Sequence, residues 1–175
     1  DAWINTELLP LSNQEFFNLL ESRVIFSVTT NTTSAEILTL FNNFRDFGLE
    51  GLSGFLIFLH NISFDKKIIN KGVEIVLSNT LDIDGKKFLK NSSTASPYLL
   101  DGTSGIIRML LYIDPFEYKD IILDLSSSLL VEYAQFSGYW GGMIGLADTL
   151  LAVCKYFPND DFILIAKELL ISGFI

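Results

Sequence analysis

Three stretches of this chain repeat one pattern: GLEGLSGFLIFL at 48–59, LLDGTSGIIRMLL at 99–111 and YWGGMIGLADTLL at 139–151. Each holds a Gly-x-x-Gly element, Gly51/Gly54, Gly102/Gly105 and Gly142/Gly145, and runs on into an apolar segment. Glycine costs roughly 1 kcal/mol relative to alanine inside a helix, so paired glycines need a reason. Residues three apart share a helix face. Two glycines there leave no side chain, and a neighbour can approach the backbone closely. Each apolar segment is followed by a more polar one that reads as a second helix: FDKKIINKGVEIVLSN, PFEYKDIILDLSSSLLVEYA and NDDFILIAKELLI. Two-helix repeats of this length predict a solenoid or a closed ring of helical hairpins. The glycine-led helices would form its inner layer and the polar helices its outer layer.

Local signals support a helical reading. Ser12-Asn13-Gln14-Glu15 and Thr33-Ser34-Ala35-Glu36 fit the capping box, in which hydroxyl and carboxylate satisfy free amides reciprocally. Asp114-Pro115-Phe116-Glu117 reads as N-cap, first-position proline and acid, and Pro158-Asn159-Asp160 opens a further helix. The expected helices lie near 12–23, 34–47, 52–60, 64–78, 103–113, 115–134, 143–156 and 160–172. Residues 80–97 break the pattern. Asp84-Gly85 between short alternating segments predicts a small β-hairpin near 80–90, and Asn91 to Pro97 reads as a polar, flexible loop. The expected fold class is all-α, with helical hairpins and this small insertion, in one domain spanning 1–175.

Composition narrows the function. With 49% apolar and 19% charged residues, the chain can bury a core. Its net charge of -9 argues against nucleic acid, whose phosphates require clustered Lys and Arg. No apolar run reaches the roughly 20 residues of a membrane span. A single cysteine, Cys154, excludes a disulfide within the chain and favours a reducing, cytoplasmic setting. One cysteine and one histidine, His60, make a protein-only zinc site improbable. The chain opens without Met and closes on the apolar SGFI, so the expectation is a piece of a longer protein.

The runs SPYLLDGTSGIIRMLLY and SGYWGGMIGLADTLLAV resemble the LanC-like cyclase domain of class III lanthipeptide synthetases, multidomain enzymes with lyase, kinase and cyclase parts. The resemblance covers about residues 48–172. It implies an α/α toroid, of which three hairpins are visible here. It also implies Michael addition of a peptide cysteine thiol to dehydroalanine or dehydrobutyrine, on a ribosomally made precursor peptide. Zinc-dependent relatives hold the metal in motifs such as Trp-Cys-Tyr-Gly and Cys-His-Gly. Here the matching positions read Leu100-Asp101-Gly102 and Trp140-Gly141-Gly142. The implied subgroup is therefore metal-independent, with no cofactor of its own; any nucleotide would belong to the separate kinase domain.

Without zinc, a base must take the thiol proton and an acid must protonate the enolate. Residues just before the glycine pairs, Glu50, Asp101, Tyr139 and Trp140, would face the ring's centre. Asp101 is the first choice for a base or substrate-orienting group, and Tyr139 for the proton donor. Trp140 would form an apolar wall and Glu50 a further substrate contact. Asp101 and Glu50 would equally serve as helix caps, and Trp140 as a packed core aromatic. His60, at the end of the first inner helix, is either a general base or a ligand of a C-terminal carbonyl. Arg108, amid IIRMLL, needs an acidic partner such as Asp101, or binds an anionic group or the enolate. Cys154 reads as a core thiol. Two other readings remain open: an inert helical module that binds peptide or supports neighbouring domains, and a glycoside hydrolase using Glu50 and Asp101.

Overall fold

The structure is a computed structural model, and it describes residues 10–23, 26, 28–29, 31–91, 94–130 and 136–173. Within them lie eight helices and one three-stranded sheet. The first two helices are α1 (Asn13–Glu21) and α2 (Ser34–Phe41), and both begin on the capping boxes legible in the sequence. Ser12 Oγ accepts from the Glu15 amide and the Glu15 carboxylate accepts from the Ser12 amide; Thr33 and Glu36 do the same.

Three helix pairs follow: α3 (Leu52–Asn61) with α4 (Lys66–Ser78), α5 (Thr103–Ile113) with α6 (Lys119–Ser127), and α7 (Met143–Tyr156) with α8 (Asp160–Gly173). The glycine-led helices α3, α5 and α7 lie side by side, and each packs its own second helix against it. Their sequences explain the arrangement. α5 buries every residue from Thr103 to Leu111, and a helix apolar all round is stable only inside a core. α4 buries only Ile68, Ile69, Gly72, Val73 and Val76, one stripe at helical spacing, and turns its lysines outward.

The glycines make the step between units. Gly51, Gly102 and Gly142 are the helix N-caps, and Gly54, Gly105 and Gly145 sit in the first turns. A Cβ at Gly145 would overlap the Tyr139 carbonyl oxygen and stand 2.7 Å from Leu99 Cδ1, in the preceding unit. One at Gly105 would overlap the Leu99 carbonyl oxygen and stand 3.2 Å from Leu49 Cγ, again one unit back. The first two units thus each seat a turn leucine on the bared backbone of the next glycine-led helix. The turns are also joined directly: the Glu50 amide donates to the Leu100 carbonyl (3.3 Å) and the Leu100 amide to the Trp140 carbonyl (3.1 Å).

Elsewhere the sequence-based boundaries shift. The helix expected over 34–47 ends at Phe41, because Asn42 and Asn43 turn the chain toward the first glycine unit. The one expected from 115 begins at Lys119; Asp114 does cap the amides of Phe116 and Glu117, but 115–118 form a turn. Part of the expected span to 134 lies outside the described residues. The insertion is larger than a hairpin. β1 (Thr80–Ile83) pairs antiparallel with β2 (Lys86–Asn91) through an Asp84-Gly85 turn in which both residues have positive φ. β3 (Thr94–Ser96) then pairs with β2, opposing Ser96 to Leu89. The polar run read as a flexible loop is therefore partly a strand. Its polarity misled because this edge strand is held by backbone bonds and by Thr103, whose hydroxyl donates to the Ser96 carbonyl and accepts from the Leu89 amide. The sheet thereby anchors the start of α5.

Candidate functional site

The joined turns gather Glu50, Asp101 and Trp140 at the N-terminal ends of α3, α5 and α7. The approach is close enough that a Cβ at Gly48 would stand 2.7 Å from Asp101 Cα. Arg23 pairs with Glu50 at 3.2 Å and lays its guanidinium 5.5 Å from the centre of the Trp140 ring. Asp101 accepts from the Ser96 hydroxyl at 2.8 Å, which ties it to the sheet, while the N-cap residue of α5 is Gly102. Asp46 completes the group. Burial raises its carboxyl above the ordinary range, the Gly48 amide at 2.7 Å opposes this, and the charges of Asp101 and Glu50 add to the rise.

That rise has a measurable sign. A carboxyl with a raised folded pKa binds its proton more tightly when folded. Its contribution to stability is therefore lost as pH climbs above the unfolded value of 3.8. Asp46→Asn keeps the acceptor for Gly48 and removes the charge. Urea unfolding is expected to show it stabilised at neutral pH by no more than about 1 kcal/mol, with the advantage over the parent chain vanishing below about pH 4.

A second cluster lies farther along the same helices. Arg108 and Asp148 each stand six residues beyond an N-cap glycine, Gly102 and Gly142, and so occupy equivalent positions on adjacent helices. Their side chains meet at 3.8 Å (Nη1 to Oδ2), with Arg108 only 2% exposed. Among the described residues Arg108 is the one charged residue that is buried. Tyr139 donates its hydroxyl to Asp148 Oδ2 at 2.8 Å; burial first, then the Asp148 charge, drives its pKa far above the usual phenol value. The Arg108 guanidinium rests 4.1 Å from the centre of the Phe16 ring on α1. Asp148 was missed in the sequence. Aligning the three units on their glycines would have found it, as an acid opposite the lone buried base.

His60 stands apart from both clusters. It lies at the far end of α3, about 12 Å along the helix axis from Leu52, with its ring edge-on to Tyr112 at 5.8 Å. Burial and the nearby Lys66 lower its pKa. The Cys154 thiol donates to the Asn159 carbonyl at 3.5 Å, in the turn before α8, and burial raises its pKa. Among the described residues there is no group of three His, Cys, Asp or Glu side chains placed to hold a metal, and no helix long and apolar enough to cross a membrane.

Between α1, α7 and α8 opens a cleft of about 310 Å³, with Ile144, Leu151 and Leu170 on its walls and Asp148 and Tyr139 at its polar end. No protein-family model, curated protein or solved structure matches this chain.

Proposed function

We propose that this chain is a section of an α/α toroid and works as the metal-independent cyclase domain of a class III lanthipeptide synthetase, closing thioether rings in a ribosomally made precursor peptide in the cytoplasm beside kinase and lyase domains. The observation that carries the reading is the repeated step between units, a turn leucine on a helix glycine with an amide-to-carbonyl bond beside it. A step repeated with the same hand curls a row of hairpins around a centre. It also sets Glu50, Asp101 and Trp140 side by side.

The chemistry asks little more than that. A carboxylate removes the cysteine S–H proton, the thiolate adds to the β-carbon of the dehydro residue, and the electron pair moves onto the carbonyl as an enolate. The proton then returns to the α-carbon. Asp101, steadied by Ser96, suits the carboxylate role. Trp140, with Arg23 on its ring, suits an apolar wall for the peptide. Holding thiol and alkene together supplies the rest of the acceleration.

The test uses a synthetic peptide with one cysteine and one dehydroalanine, since ring closure removes the free thiol. Maleimide tagging and mass measurement then follow its loss. Closure is expected to outpace the protein-free reaction and to slow about 100-fold in Asp101→Ala. Equal rates with and without the protein would sink the cyclase reading. One observation favours the second reading, an inert peptide-binding module: the polar groups of Arg108 and Tyr139 are already engaged by Asp148 and by the main chain of Leu11.

A further inference from the structure

The Arg108–Asp148 pair does not stop at pairing. Leu11, just before α1, donates its amide to Asp148 Oδ1 at 3.0 Å, and its carbonyl accepts from Arg108 Nη2 at 3.3 Å. Both main-chain groups of one residue are thus read by two charged side chains from adjacent repeat helices. Such a grip is blind to sequence, because every residue but proline offers the same two groups. The side chain of Leu11 lies in the wall of the apolar cleft beside the pair, and Phe16 covers the guanidinium.

The occupant is not part of the repeat: α1 has no glycine pair. It is fastened by the buried side chains of Phe16, Phe17 and Leu20. A nine-residue helix is marginal in water by itself, so its order depends on this docking.

We propose that Arg108, Asp148 and Tyr139, with the cleft that opens beside Asp148 and Tyr139, form a peptide-binding site, and that the segment from Pro10 to Ser22 holds that site as an in-cis ligand. The external ligand is an extended peptide with a bulky apolar residue at the place of Leu11. Its amide and carbonyl take the two charged groups, its side chain replaces that of Leu11 in the cleft wall, and α1 swings away as it enters. The inference rests on the peptide-handling part of the function proposed above, but it requires no ring closure.

A synthetic peptide, PLSNQEFFNLLES, copies the occupant. Fluorescence anisotropy of the labelled peptide is measured against the full chain and against the full chain carrying Phe16→Ala and Phe17→Ala, which loosen α1 and leave Arg108, Asp148 and Tyr139 in place. The loosened chain is expected to bind at least about tenfold more tightly than the parent. A peptide N-methylated at the leucine matching Leu11 lacks the donated N–H and is expected to lose about tenfold of that affinity. Equal binding by parent and variant, or no effect of N-methylation, overturns the proposal. Hydrogen exchange on the parent chain decides the case independently of how the variant folds. The α1 amides should exchange through a local opening that leaves α3, α5 and α7 protected; exchange of α1 only with global unfolding makes it an ordinary core helix and ends the idea. Peptide binding without ring closure leaves this site standing and removes the cyclase; ring closure without displacement of α1 does the reverse.

Discussion

Gly145→Ala is expected to destabilise the protein by about 3 kcal/mol, a fall of roughly 10 °C in Tm. In a solvent-exposed helix the same change would gain up to about 1 kcal/mol, because alanine is the better helix former. Here the added methyl meets the Tyr139 carbonyl and Leu99 Cδ1. The first is backbone, in a turn joined to the preceding unit by the Leu100–Trp140 hydrogen bond, and has nowhere to retreat. Gly141→Ala is the control from the same turn, since a Cβ there would meet nothing within 4 Å. Calorimetry on the two variants should give a large fall for the first and a change within about 0.5 kcal/mol for the second. Equal, small effects would mean that the glycine step does not hold the units together.

The second large effect belongs to Asp148. Asp148→Ala strands Arg108 in a site where only 2% of its side chain is exposed, and removes acceptors from Leu11 and Tyr139. Breaking one partner of a buried ion pair typically costs 3–5 kcal/mol, whereas replacing both by apolar groups of similar volume is often close to neutral. Asp148→Ala is therefore expected to lose about 4 kcal/mol in urea unfolding, and the double change Asp148→Leu with Arg108→Met less than half of that. The non-additivity measures the coupling. A double variant as unstable as the single one would place the energy in the Leu11 and Tyr139 hydrogen bonds and not in the stranded charge.

The reach of the sequence is clearest where a few consecutive residues carry the physics. The Ser12 and Thr33 capping boxes, the Asp84-Gly85 turn and the span of α5 each follow from residues near one another in the chain. Ends set by distant partners were less legible. The short strand β3 depends on Leu89, seven residues before Ser96, and on Thr103 in α5, so its polar composition hid it. The candidate site divides in the same way. Glu50, Asp101 and Trp140 could be grouped from their places before the glycines. Arg108 visibly needed an acid, but nearness in sequence pointed to Asp101, whereas packing α5 beside α7 delivers Asp148.

By itself, then, the sequence determined the helices, their pairing into glycine-led units and the need for close backbone approach, because propensity, capping and apolar periodicity act over a turn or two. Only the tertiary structure decided which unit touches which glycine, which acid neutralises Arg108, and that Leu11 lies across that pair. Those choices depend on which surfaces remain to be covered once the helices exist, and burial does not register distance along the chain.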